Sequence, residues 1–232
     1  MIKKLFEDDW IIAVDKPPRV HSVPDGNDPK AESLVQLIQK DYPTKEYTPY
    51  VLHRLDYETS GVVLLGKYEH DREILTTILR NESTKKTYTA LTKNVPEPRN
   101  GNIFKKLPSR YTGTLVEAHT AYNVTRIFPK GEFSIIEATI STGRKHQIRR
   151  HLAAIGCPVI MDDLYGDKKF NQKFRKIVRL GRQFLHASRI DFTHPFTQKK
   201  THVRSPLPMD LLVTIKRISG TMPAPRTRPS RY

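Results

Sequence analysis

The run Val62-Val63-Leu64-Leu65, closed by Gly61 and Gly66, constrains the fold of this chain more than any other segment. Its residues do not alternate with polar ones, the first two are β-branched, and the run is too short for a helix. That is the profile of a strand buried on both faces, which belongs in the middle of a sheet with packing on either side. The neighbouring elements are mixed. Trp10 to Asp15 is β-rich and ends at Lys16-Pro17-Pro18, where proline removes donors and fixes φ. Asp28 and Pro29 offer a cap and first position for a helix that carries Leu34, Leu37 and Ile38 on one face and is stopped by Pro43. Ile74, Leu75, Ile78 and Leu79 recur at helical spacing up to Asn81, after which Lys85 to Thr92 reads as a strand.

Ala121 to Phe128 and Phe133 to Ile140 flank the turn signal Pro129-Lys130-Gly131 and read as a hairpin. His146 to Ile155 reads as a helix stopped by Gly156 and Pro158. A second helix is marked by Phe170, Phe174, Ile177 and Val178, and its basic side extends from Lys168 to Arg182. Phe184 to Phe192 and Thr201 to Arg204 are strand-like, and Met209 to Ile218 closes the pattern as a helix. Strands cluster in hairpins instead of alternating strictly with helices, so the expected fold class is α+β, a mixed, mostly antiparallel sheet with flanking helices. The expected organisation is one domain over residues 1–219, then a mobile basic tail over 220–232 with three prolines, three arginines and no acid.

Composition narrows the partners. Lys and Arg number 40 against 24 Asp and Glu, a net charge of +16 that calls for an acidic partner, nucleic acid first. The single Cys157 excludes an internal disulfide and a multi-cysteine zinc site and fits a reducing cytoplasm. The longest apolar runs fall far short of the ~20 residues that cross a bilayer. The opening Met-Ile-Lys-Lys-Leu-Phe-Glu-Asp has no signal-peptide core, so neither a membrane protein nor an exported one is expected.

Three segments carry candidate chemistry. His53-Arg54-Leu55-Asp56-Tyr57-Glu58-Thr59-Ser60-Gly61 leads into the buried strand and puts Asp56 on a loop held by rigid scaffold. From the residues alone, the commoner reading of Asp56 is an ordinary loop acid paired with Arg54 or bonded to a turn amide, and spacing does not overturn it. Thr142-Gly143-Arg144-Lys145-His146-Gln147-Ile148-Arg149-Arg150-His151 gathers donors at a helix start, where they suit a phosphate or a buried carboxylate, or form a solvated basic face. His146 and His151 are five apart and point to different faces, so no metal site is expected. Lys85-Lys86-Thr87-Tyr88 brings basic residues into a strand whose Tyr88 is either a core tyrosine or a stacking face for a base.

Taken together, these segments resemble the RluA family of RNA pseudouridine synthases. The likeness runs through Trp10-Ile11-Ile12-Ala13-Val14-Asp15-Lys16-Pro17, His-Arg-Leu-Asp-x-x-Thr-Ser-Gly at 53–61 and Lys-Lys-x-Tyr at 85–88. It continues through Gly-Arg-x-His-Gln-Ile-Arg-x-His at 143–151, Gly156 to Gly166, and Leu185-His186-Ala187 leading to His194-Pro195. The chain departs from the family at Asp15, Arg19, Lys145 and Met161, where Asn, Gly, Thr and Gly are usual. The resemblance implies a pseudouridine synthase fold around a central cleft and isomerisation of uridine in structured tRNA or ribosomal RNA, with no cofactor.

It makes Asp56 the essential carboxylate, Arg149 the guanidinium that would hold it ionised and aimed, Tyr88 the ring against the flipped uracil, and Leu185 a wall of the uracil pocket. Arg54, Arg144, Lys145, His146 and Gln147 are then expected to bind substrate, with Arg150 and the 168–182 segment supplying phosphate contacts. A monomer without an S4 RNA-binding domain, acting on RNA and not DNA, is expected. The reading from another class is a catalytically idle RNA-binding or ribosome-assembly protein on the same fold.

Overall fold

The computed structural model describes residues 1–26, 31–109 and 112–220. In chain order the elements are β1 (Lys3–Glu7), β2 (Ile11–Lys16), α1 (Leu34–Asp41), β3 (Tyr50–Val51), β4 (Ser60–Gly66), α2 (Arg72–Arg80), β5 (Lys85–Lys93) and β6 (Asn100–Phe104). They continue with β7 (Leu107–Pro108), β8 (Leu115–Val116), β9 (His119–Ile127), β10 (Phe133–Ile140), α3 (Gln147–Ala154), α4 (Lys168–Val178), β11 (Leu185–Thr193), β12 (Lys200–Arg204) and α5 (Met209–Ile218). Among the described residues the main sheet has ten strands in the order β1-β2-β4-β11-β5-β10-β9-β6, with β12 beside β11 and β3 beside β4. Its pairings are antiparallel except that of β4 with β11, so the fold is α+β with a mixed, mostly antiparallel sheet.

The glycine-bounded run is the partition of the molecule. Every residue of β4 is buried. Val63 and Leu65 face a core that includes Leu34 and Ile38 of α1 and Ile148 and Leu152 of α3. Val62 and Leu64 face the opposite core, with Leu75 and Ile78 of α2. Each such side chain contributes about 2 kcal/mol by leaving water, so a polar substitution at either parity would open one of the two cores. Gly61 answers a separate constraint. It stands at φ 117° where β4 crosses β11, and a Cβ there would lie 2.2 Å from the Ala187 carbonyl oxygen. Only glycine lets those two strands meet.

Local chemistry corrects several expectations. α1 starts at Leu34 under a capping box, in which the Ser33 hydroxyl accepts the Gln36 amide while the Gln36 side chain accepts the Ser33 amide. Asp28 and Pro29 lie outside the described residues, as do 221–232 of the expected tail. α4 ends at Val178 because Arg179 turns into the left-handed region at φ 55° and returns its N–H to the Arg175 carbonyl. Its basic face therefore stops short of Arg182, which is 3% exposed and belongs to the interior. Two departures from the family pattern, Arg19 and Met161, have φ of 62° and 65°. That is backbone which glycine adopts without cost, so the glycine usual at both positions has a steric reason.

Candidate active site

The loop from β3 to β4 is pinned on both sides of Asp56. Ahead of it, the His53 Nε2 accepts the Leu64 amide at 3.1 Å. Burial, reinforced by the charge of Lys86, pushes that imidazole down to about 3, so it serves as a neutral acceptor. The Ser22 hydroxyl accepts the Leu55 amide at 3.0 Å and donates to the Leu55 carbonyl at 3.1 Å. Beyond Asp56, the Tyr57 carbonyl takes the Arg19 amide at 2.7 Å and the Lys16 ammonium at 3.3 Å. The Glu58 carbonyl takes Arg182 at 3.1 Å. The turn closes on itself through the Thr59 amide, 3.0 Å from the Asp56 carbonyl. With so many backbone groups committed, the turn holds the Asp56 carboxylate in place with 29% of its side chain exposed.

It faces a cleft at the start of the parallel β4 and β11. The opposite wall is α3, which turns Ile148 and Leu152 into the core and presents Arg149 beside them. Arg149 donates from Nη1 to the Asp56 carboxylate at 3.1 Å. Its Nε and Nη2 go to the two oxygens of Asp162 at 2.6 and 2.8 Å, a bidentate fork. Asp162 is wholly buried and also accepts the amides of Leu164 and Tyr165. Burial favours its neutral form, yet the hydrogen bonds and charge of Arg149, with those amides, hold it below the usual carboxylate range. Arg149 is likewise driven above its ordinary range: burial works against its charge, and Asp162 and then Asp56 outweigh it. Arg149 therefore stays charged, fixed by Asp162 and pointed by its last nitrogen at Asp56.

Eight of the nine residues named from the sequence line this cleft: Arg54, Asp56, Tyr88, Arg144, His146, Gln147, Arg149 and Leu185. Lys145 is exposed and stands outside the lining. Burial, with a further push from the Asp56 charge, raises the Tyr88 phenol well above its ordinary range and keeps it protonated. Leu185, 3% exposed, is shared between the cleft and the core beneath it. The Gln147 amide is spent on scaffold: its oxygen accepts from the Thr142 hydroxyl and the Arg144 amide, and its nitrogen donates to the His119 carbonyl and the Thr120 hydroxyl.

The His146 imidazole approaches Asp56 to 3.7 Å. Burial lowers its pKa; Asp56 opposes that, and Arg149 and Lys145 add to it, so the neighbour of the carboxylate is a neutral ring and not an ion-pair partner. Arg150 leans outward to the Tyr165 hydroxyl at 2.8 Å. Arg182, expected on a phosphate-binding face, instead grips Asp210 through Nε and Nη2 inside the fold. Asp162 is the residue that the sequence reading passed over. It stands in the Gly156 to Gly166 block that carries the family likeness, but its role depends on reaching Arg149, which sequence position does not reveal.

A family model described as RNA pseudouridylate synthase matches residues 10–154. The tRNA pseudouridine synthase C of Vibrio vulnificus is 28% identical, over 88% of this chain and 90% of its own. The ribosomal large subunit pseudouridine synthase D of Nitrosomonas europaea is 30% identical, over 98% of this chain and 68% of its own. The solved structure of human RNA pseudouridylate synthase domain containing 4 shares the fold at a TM-score of 0.74 and 22% identity, covering 93% of this chain and 92% of that one. A match over more than half of the chain, a relative 30% identical along 98% of this chain, and a cleft built where the motifs converge lead to one assignment: the chain belongs to the RNA pseudouridylate synthase family of isomerases, in its RluA branch.

Proposed function

We propose that this chain converts uridine to pseudouridine in structured tRNA or ribosomal RNA and that Asp56 is the reacting carboxylate. The observation that carries the reading is the Asp56 carboxylate open to the cleft and 3.1 Å from an arginine that a second, buried acid holds in place. The reaction breaks the bond from ribose C1′ to uracil N1, turns the base, and joins C1′ to C5. The C5 proton leaves and N1 gains one, so nothing is added overall and no cofactor is needed. A carboxylate under the ribose supports this as a nucleophile that captures the sugar cation or as a base that takes a sugar proton. A second acid is dispensable because the departing uracil holds negative charge on its own oxygens.

The flipped base lies between Tyr88 and Leu185. Extruding it from a stack costs a few kcal/mol, offset by phosphate contacts from the exposed Arg54, Arg144 and Lys145 at the cleft mouth. Of the two RNA classes, tRNA is favoured by the relative named for it, which this chain spans almost from end to end. The cytoplasm, where tRNA and ribosomes reside, is the site of action in this reading.

The test is tritium release from tRNA transcripts labelled at uridine C5. Asp56→Asn should lower turnover by about a thousandfold or more while RNA affinity stays within about threefold. Turnover within tenfold of the parent would remove Asp56 from the chemistry. Binding without release by the parent protein would make it an idle RNA-binding module.

A further inference from the structure

Lys86 is a buried cation that the chemistry above does not use. It enters β5 two residues before Tyr88, so both side chains lie on the same face of the sheet, the one on which the Tyr88 ring joins the core with Ile148 of α3. It is 7% exposed. Among the described residues its ammonium has neither a hydrogen-bond nor an ion-pair partner. Its end lies against Gly143 at the edge of the cleft, where a Cβ on that glycine would stand 3.6 Å from Nζ. Its charge reaches His53 on the Asp56 loop. The ammonium thus sits between the two loops that frame the cleft.

The other deeply buried lysine shows what satisfaction looks like here. Lys16 gives its hydrogens to the carbonyls of Pro17, Val20 and Tyr57 at 2.9, 2.7 and 3.3 Å. Lys86 has no such cradle. Burial alone draws it down to about 8, with no neighbouring carboxylate to restore it. A buried cation without a counter-ion is costly to keep, and the backbone its end approaches is Gly143 of the cleft wall. The N-terminus of α3, just beyond Gly143, adds its partial positive charge on the same side. An anion arriving through the cleft would supply the missing partner.

We propose that Lys86, with the N-terminal turn of α3, binds a backbone phosphate of the nucleotide whose ribose lies over Asp56. This rests on the proposed function, since it takes that nucleotide as the ligand. A phosphodiester fits because it is an obligate anion one linkage from the reacting sugar, whereas the uracil oxygens carry charge only during reaction. The cation then sets the depth to which the extruded nucleotide enters.

The test is RNA affinity measured in an Asp56→Asn background, so that binding is read without turnover, using a tRNA that releases tritium and whose pseudouridine has been mapped by carbodiimide modification and primer extension. Lys86→Met keeps the length and removes the charge. It should weaken binding about tenfold and reduce the slope of log affinity against log salt by about one. Replacing the phosphodiester on one side of the target uridine by a neutral methylphosphonate should cost the Lys86 protein about tenfold and the Lys86→Met protein less than about twofold. Unchanged affinity, or equal losses in both proteins at either linkage, overturns the proposal. So does a loss confined to turnover in the Asp56 protein, which would move Lys86 to the uracil. Lys86→Met should also unfold at a temperature no lower than its parent; a less stable variant that loses equally on charged and neutral linkages is a packing effect and overturns it as well. Failure of any of these leaves the tritium result for Asp56 standing.

Discussion

Two groups of buried cations meet at the Asp56 turn, one behind it and one in front, and they differ in how their donors are used. Behind the turn, Lys16 is committed to three carbonyls, and Arg182 to Asp210 and the carbonyls of Glu58 and Gln183. Each of the two takes a carbonyl of the residues that directly follow Asp56. In front, Arg149 divides its nitrogens between a fully buried acid and one open to the cleft, and Lys86 has no partner among the described residues. Where every donor is matched within the protein, cations act as scaffold; where a donor is shared with the cleft or unmatched, it is available to a ligand. The group behind the turn also feels the carboxylate. Burial and then the charge of Arg182 lower Lys16 to about 7, while Asp56 works the other way.

The largest effect should come from breaking the front group at its anchor. Asp162→Ala leaves Arg149 buried with only Asp56 to meet it and should cost about 4 kcal/mol of stability. Thermal unfolding measures this, and steady-state kinetics should show a lower kcat with little change in KM. Parent-like unfolding together with parent-like kcat would mean that α3 holds Arg149 without Asp162, which would end its role as a positioning residue.

A sharper contrast comes from making one substitution at both lysines. Lys16→Met strands three carbonyls and should destabilise by about 2 kcal/mol, read as a lower urea midpoint. Lys86→Met removes an unmatched charge and should stabilise by about 1 kcal/mol at neutral pH. Shifts of the same sign would erase the distinction between scaffold and site.

The smallest effect is in pH. Lys86 has a folded pKa of about 8 against an ordinary value of 10.5, so between those values the unfolded chain binds the extra proton. Stability from this group therefore rises with pH across the window. The advantage of Lys86→Met over the parent should shrink between pH 8 and 10.5; an advantage that stays constant would show that Lys86 titrates normally.

Most of the fold was readable along the chain because its elements have local signatures. β4 declared itself by uninterrupted apolar residues, and the β9–β10 hairpin by Pro129-Lys130-Gly131. β1 and β6 did not, because these edge strands are half exposed and their residues, Lys3 to Glu7 and Asn100 to Phe104, lack a clean alternation. The start of α1 was written as Ser33-x-x-Gln36, a capping pair that the Asp28-Pro29 signal obscured.

The site was less readable. Taken alone, Asp56 could not be told from a turn acid, and its assignment came from the family likeness. The arginine that meets it in the cleft lies 93 residues away. Gln147 shows the opposite case, a motif residue whose amide the fold spends internally.

Sequence by itself settled the class of fold, the partition made by the 62–65 run, the basic balance and, through the family likeness, most of the residues that line the cleft, since periodicity, charge and motif order are properties of a linear string. Only the tertiary structure decided that Arg149 is anchored by Asp162, that Arg182 and Lys16 are scaffold, and that Lys86 is left unmatched among the described residues. Whether a polar group is satisfied depends on every neighbour within hydrogen-bond reach, and those neighbours come from segments far apart along the chain.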